Sequence, residues 1–167
     1  MSKAGRHIED LVSYFSYAGG RVRGGSLDDV EVLLEKMEGD RAVVAKQLHR
    51  NLSKVKNGLL LVADNYSGHV LGAGLGYAQD DCFWVCDLVS SGRVRGTGTA
   101  IMREFASRAQ ELGLELRLEA YRDSGSLSYF DMLGGRTVDN HNKRALGWKA
   151  LGLATLAGEK EVEAPSA

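Results

Sequence analysis

Proline is almost absent from this sequence. The single one, Pro165, falls in the charged stretch 158–167, which reads as a flexible tail. Cysteine is nearly as scarce, with Cys82 and Cys86 alone. On one strand their Cα atoms would lie about 13 Å apart at roughly 3.3 Å per residue, too far for a disulfide. With no matching histidine spacing they make no zinc site, and they are expected as small buried side chains. No apolar run approaches the roughly 18 residues of a membrane span. Glu9 and Asp10 interrupt the first apolar residues, which speaks against a secretory signal. Neither sign of charge is in excess: the net charge is −1, so no global basic field points to nucleic acid. What remains is a chain of 167 residues, enough for one domain with its own core. It is expected in the cytoplasm, with no metal and no membrane or nucleic-acid partner.

Glycine, by contrast, is abundant and placed with a pattern. From Cys86 to Arg103 the chain runs through an apolar strand, a Ser/Gly break, a basic glycine loop and the start of a helix. The loop holds Arg93, Val94, Arg95, Gly96, Thr97, Gly98 and Thr99. Successive N–H groups at a helix N-terminus, beside two arginines, suit a diphosphate, and glycine lets the backbone approach it closely. A Walker loop would need Gly-Lys-Ser/Thr where Gly98-Thr99-Ala100 stands. A dinucleotide fingerprint would need Gly or Ala where Ile101 stands. The pattern Gln/Arg-x-x-Gly-x-Gly/Ala is met by Arg93, Gly96 and Gly98.

Elsewhere the chain divides cleanly. Ile8, Leu11, Val12 and Phe15 predict a helix over 5–17, and Arg21–Gly24 reads as a short edge strand or turn that repeats the loop's letters by chance. Ser26 caps a helix whose stripe is Val30, Leu33, Leu34 and Met37. Gly39 stops it, and Asp40 caps another that turns Val44, Leu48, Leu52 and Val55 inward. Lys46, Arg50 and Lys54 form a solvated outer face. Leu59 to Ala63 is an apolar strand and 64–68 a hairpin turn. The strand that follows puts Leu71, Ala73, Leu75 and Tyr77 on one face and Gly72, Gly74 and Gly76 on the other. Such a glycine face expects something packed close, a helix in preference to a substrate. A strand over 82–89, a helix over 97–112 with Ile101, Phe105 and Ala109 inward, a strand over 114–120 and a short helix around Tyr129 follow. Residues 136–155 read as two short strands around Asp139–Asn142. The order describes an α/β (α+β) domain with a mixed sheet over 1–157.

The glycine loop resembles the coenzyme A loop of the GNAT superfamily, the acetyl-CoA-dependent N-acetyltransferases. Tyr121 to Gly134, with the pair Tyr129-Phe130 before the glycine, resembles the second signature of that family. The likeness spans about residues 20 to 150, sharply only Trp84 to Gly134. Val94-Arg95-Gly96, Met102 and Tyr129-Phe130 are nearest the branch that acetylates histone lysines. The resemblance implies a mixed, mostly antiparallel sheet whose two central parallel strands splay apart, with an extra helix at the N-terminus. Acetyl-CoA would be cosubstrate, its diphosphate on residues 93–99 and its arm along Leu88 to Ser90. A backbone N–H near Leu88 would face the thioester oxygen, with Ser124 and Phe130 on the cofactor's other side.

The same resemblance leaves the proton chemistry open. A lysine amine is mostly ammonium at neutral pH, so a base is wanted. Histone-type enzymes carry a glutamate where this chain has Cys82; adjacent Asp81 and Asp80, acting through water, or Asp87 are the substitutes. Other members use a tyrosine where Phe130 stands, which makes neighbouring Tyr129 the candidate acid. The acceptor would be a primary amine, on a protein in preference to a small molecule, and a homodimer is left open. Cys82 and Phe130 favour a second reading, a silent module that binds coenzyme A or a partner. A third takes the loop as a generic anion site.

Overall fold

The computed structural model describes residues 3–119, 136–138 and 140–146. Seven strands form one sheet in the order β1-β2-β3-β4-β5-β7-β6. They are β1 (Arg21–Gly24), β2 (Leu59–Asp64), β3 (Val70–Gln79), β4 (Cys82–Ser90), β5 (Glu115–Glu119), β6 (Arg136–Val138) and β7 (Asn140–Leu146). Every neighbouring pair is antiparallel except β4 and β5, which are parallel. The helices are α1 (Lys3–Tyr17), α2 (Leu27–Lys36), α3 (Gly39–Lys54) and α4 (Thr97–Leu112). The fold class is the mixed α/β one expected.

Two cores, one on each sheet face, explain the sequence pattern. Val30 and Leu33 of α2, Met37 at its C-cap, and Ala45 and Leu48 of α3 pack on Leu60, Val62, Ala73 and Leu75. Ile8 and Phe15 of α1 and Ile101, Met102, Phe105 and Ala109 of α4 pack on Leu61, Ala63, Phe83 and Val85. β2 is apolar from Leu59 to Ala63 because alternate residues feed opposite cores. The glycine face of β3 is filled by a helix. A Cβ on Gly74 would stand 2.7 Å from the Phe105 ring and 3.0 Å from Ile101, and one on Gly72 would stand 3.0 Å from Thr97 Cγ2. Three glycines thus let α4 lie directly on the sheet.

Two expectations need correction. Asp40 is not a cap: the cap position falls on Glu38, and α3 starts two residues early, at Gly39, which takes up the turn at φ 61°. Leu71 does not share a face with Ala73 and Leu75. The pairs Ala63↔Gly72 and Asp64↔Val70 leave Leu71 as the extra residue of a β-bulge, and its side chain joins the α1/α4 core.

A second bulge positions the site. Leu75 pairs with Asp87 and Gly76 with Val85, so Cys86 is the extra residue. Among the described residues the parallel ladder to β5 covers Cys82 to Val85, up to that bulge. β4 itself runs on to Ser90, while the described part of β5 ends at Glu119.

The arginines of β1 turn out to be structural. Asp64, 2% exposed, accepts hydrogen bonds from Arg21 Nε and Arg23 Nε, both at 2.7 Å. Arg23 also donates to both oxygens of Asp29 at 3.0 and 2.9 Å, and Asp29 accepts the Ser26 N–H at 2.9 Å, closing the start of α2. Burial pushes the Asp64 carboxyl up, yet the two arginines together bring it below the usual range. The Arg23 guanidinium, against a smaller push from burial, holds Asp29 down at about 2. A depressed carboxylate stabilises the fold above its unfolded value, about 3.9, and stops doing so as pH falls through the folded value. Asp29→Asn is therefore expected to melt below the parent protein at neutral pH, with the gap closing below about pH 2. A gap that stayed constant across a pH 2–7 melting series would refute the coupling.

Candidate functional site

The loop between β4 and α4 meets the geometric demands of an anion site. Gly96 is the N-cap of α4, with φ 89°, and no side chain caps the helix. The first bond within the helix is Ala100 N–H to Gly96 C=O at 2.9 Å, so Thr97 and Gly98 present N–H groups with no acceptor inside the helix. No acidic residue occupies the first turn. The contrast with α2 is direct, since there Ser26 and Asp29 close the turn themselves. Thr97 Oγ1 donates to Val94 C=O at 2.7 Å and shapes the loop, with Val94 partly buried on the core. Arg93 is exposed, and its guanidinium has no side-chain partner among the described residues. Arg95 is exposed and lies over the Tyr14 ring of α1, 5.0 Å from its centre. Thr99 is buried.

The two loop glycines serve different ends. A Cβ on Gly96 would overlap the main chain of Leu11, so this glycine seats α1 on the loop. A Cβ on Gly98 would meet nothing within 4 Å. Packing does not require that position to be glycine.

The edge of β4 beyond the bulge is equally specific. Ser91 N–H bonds to Leu71 C=O at 2.8 Å, which makes residues 71 and 91 a hydrogen-bonded antiparallel pair. Pairs alternate, so Gly72↔Ser90 and Gly74↔Leu88 are non-bonded pairs. The N–H and C=O of Leu88 and Ser90 therefore point away from β3, toward the β5 side of the strand. The Leu88 side chain packs on the α1/α4 core.

The candidate acids and bases separate. Asp87 is 6% exposed and faces α3, where it accepts a hydrogen bond from Asn51 Nδ2 at 2.8 Å. Burial raises its carboxyl above the usual range, against lowering bonds from Asn51 and the Cys86 thiol. Asp81 sits exposed in the turn at the far end of β4, and neighbouring Asp80 takes φ 54° there. Seven residues of strand put Asp81 about 23 Å from Leu88 at roughly 3.3 Å per residue. Asp87 and the loop thus share one end of β4, and Asp81 does not. Tyr129, Ser124 and Phe130 lie outside the described residues.

Both cysteines are free thiols. Burial pushes Cys86 up to about 12, helped by the Asp87 charge, and its Sγ donates to Leu75 C=O at 3.3 Å. A thiol so held stays protonated and is no nucleophile. Cys82, 4% exposed, is also pushed up, by burial. The α3-side face carries an aromatic pair nearby: Tyr77 lies opposite Trp84, and the Arg117 guanidinium stands 6.0 Å from the Trp84 ring centre. Sequence reading missed Asn51, Tyr14 and Arg41, each brought to this end of β4 from another element.

No family model matches the sequence, and no curated protein does. Solved structures do match. PaiA N-acetyltransferase from Thermoplasma acidophilum, in complex with coenzyme A, superposes with a TM-score of 0.57 at 16% identity, over 75% of this chain and 96% of that one. A putative acetyltransferase from Exiguobacterium sp. 255-15 gives 0.60 at 19% identity, over 80% and 96%. A GNAT superfamily phosphinothricin acetyltransferase from Sinorhizobium meliloti, in complex with AcCoA, gives 0.54 at 18%, over 84% and 95%. Among the described residues no helix is long and apolar enough to cross a membrane. With a bulged β4, one parallel pair among the described residues and an uncapped α4, the chain has the fold of the GNAT acetyltransferases.

Proposed function

We propose that this protein is an N-acetyltransferase that moves an acetyl group from acetyl-CoA to a primary amine. One observation carries the reading: the uncapped start of α4 and the outward backbone groups of Leu88 and Ser90 lie at the same end of β4, on the strand's side away from β3. The first suits a diphosphate and the second suits an amide-bearing arm. Gly98 leaves the space over the helix end clear, with Arg93 and Arg95 at its rim. The neighbours solved with coenzyme A or AcCoA bound support the same ligand.

Bound acetyl-CoA would supply an activated acyl carbon at a thioester. The chain's part is to hold it, to offset the charge on its carbonyl oxygen and to take a proton from the amine. The outward N–H of Leu88 is the donor for that oxygen. Asp87 is the base: buried, raised above the usual carboxylate range, and one residue along the strand from Leu88. The amine approaches from the α3 side, past Tyr77 and Trp84. Tyr129 remains the proposed acid for the departing thiolate, with Ser124 and Phe130 along the coenzyme. A protein lysine is the proposed acceptor.

A silent coenzyme A-binding module is the second reading. It is favoured by Cys82, a buried thiol held protonated where the histone-type enzymes keep a glutamate. Calorimetry with coenzyme A, followed by label transfer from acetyl-CoA to amine and peptide pools, separates the two. Binding with transfer is expected. Binding without transfer selects the module, and no binding by the folded protein overturns both.

A further inference from the structure

The first turn of α3 sends a side chain onto the end of β4. Arg41 Nη1 donates to the C=O of Ser90 at 3.1 Å, across 49 residues of sequence. Its guanidinium lies where a Cβ of Gly92 would stand, so the turn after β4 fits it only as glycine, at φ 74°. Among the described residues no carboxylate lies within ion-pair distance of Arg41. A guanidinium carries five N–H donors in a fixed fork; Ser90 takes one, and four remain. The Ser90 C=O points away from β3, so Arg41 stands on that side of β4, between the backbone edge at Leu88 and the loop from Arg93.

We propose that Arg41 is a ligand-binding residue of the coenzyme site, a cation reaching from α3 to the diphosphate that the loop N–H groups hold. The assignment rests on the coenzyme A reading of the loop. It gives the site charge from two separate elements, the loop and α3. Only Ser90 C=O is used by the contact, so the outward groups of Leu88 and the Ser90 N–H stay available to the arm. It also explains Gly92, which the loop's phosphate pattern does not require. The planar fork matches a phosphate with two parallel bonds, and Lys does not.

Calorimetry with coenzyme A on the parent protein, Arg41→Met and Arg41→Lys tests it. Arg41→Met is expected to weaken binding roughly 10-fold or more, the scale of a lost charge-assisted bond. Arg41→Lys should recover part of the loss. The gap between parent and Arg41→Met should narrow from about 50 mM to about 500 mM NaCl, because the missing interaction is between charges. A merely structural role predicts a lowered melting temperature without ligand and a loss that ignores salt, and that outcome overturns the proposal. Equal affinity of parent and Arg41→Met overturns it while leaving the loop reading intact. A folded parent that ignores coenzyme A overturns both.

Discussion

Asp87→Asn is expected to lower kcat for acetyl transfer by about 10²- to 10⁴-fold, the usual worth of a positioned general base. Its affinity for coenzyme A should stay unchanged. The exchange keeps the shape of the side chain and an oxygen to accept the Asn51 bond, so geometry is preserved and only proton affinity is removed. In the parent protein kcat/KM should fall on the acid side with an apparent pKa above the ordinary aspartate value of about 3.9. The direction follows from burial, which disfavours the carboxylate. The Asn51 bond works the other way, so Asn51→Ala should move this acid limb to still higher pH.

Stability gives an independent readout with the opposite sign. A carboxyl whose folded value is raised costs stability wherever it is ionised in both states. That cost is present above the folded value and disappears as pH falls below the unfolded value. Asp87→Asn should therefore melt no lower than the parent at pH 7, while turning over far more slowly. Full activity in this variant would remove Asp87 from the chemistry. A lost acid limb with retained coenzyme binding would fix its role.

Most of the scaffold was legible because it depends on local rules. α4 falls at Thr97–Leu112, as expected, because Gly96 and Gly113 both take left-handed backbone that a continuing helix excludes. Ile101, Phe105 and Ala109 fall one helical turn apart, and all are fully buried. What escaped was set by contacts distant in sequence or by single-residue slips. Leu71 changes face because one extra residue enters β3, and the alternating letters on either side carry no mark of it. The strand's alternation does not give the direction of Asp87, because the bulge at Cys86 shifts the parity just before it. Arg41 and Tyr14 reach the loop from α3 and α1, and no spacing within one element encodes that. The matching letters of Arg21–Gly24 and Arg93–Gly96 went the other way. The first set ties down Asp64 and Asp29, and the second opens a helix without a cap.

Gly96→Val and Gly98→Val should separate folding from binding within one loop. At Gly96, φ 89° costs a side-chain-bearing residue roughly 1–2 kcal/mol, and the added Cβ would overlap the Leu11 main chain. A backbone neighbour cannot rotate aside, so α1 must shift from α4. That loosens the buried contacts of Ile8 and Phe15, and the Tyr14 ring beneath Arg95 moves with them. The expected result is a melting temperature lower by roughly 5–10 °C, at about 2–4 °C per kcal/mol for a domain of this size. At Gly98 the helix is already formed and the Cβ position is empty, so the melting temperature should hold or rise slightly, since any ordinary residue outranks glycine in a helix. Coenzyme A affinity should nevertheless drop about 10-fold or more in Gly98→Val, because the new side chain fills the space over the uncapped N–H groups where the diphosphate must lie. If Gly98→Val bound coenzyme A as tightly as the parent, the diphosphate would have to sit elsewhere, and the start of α4 would lose its part in the site.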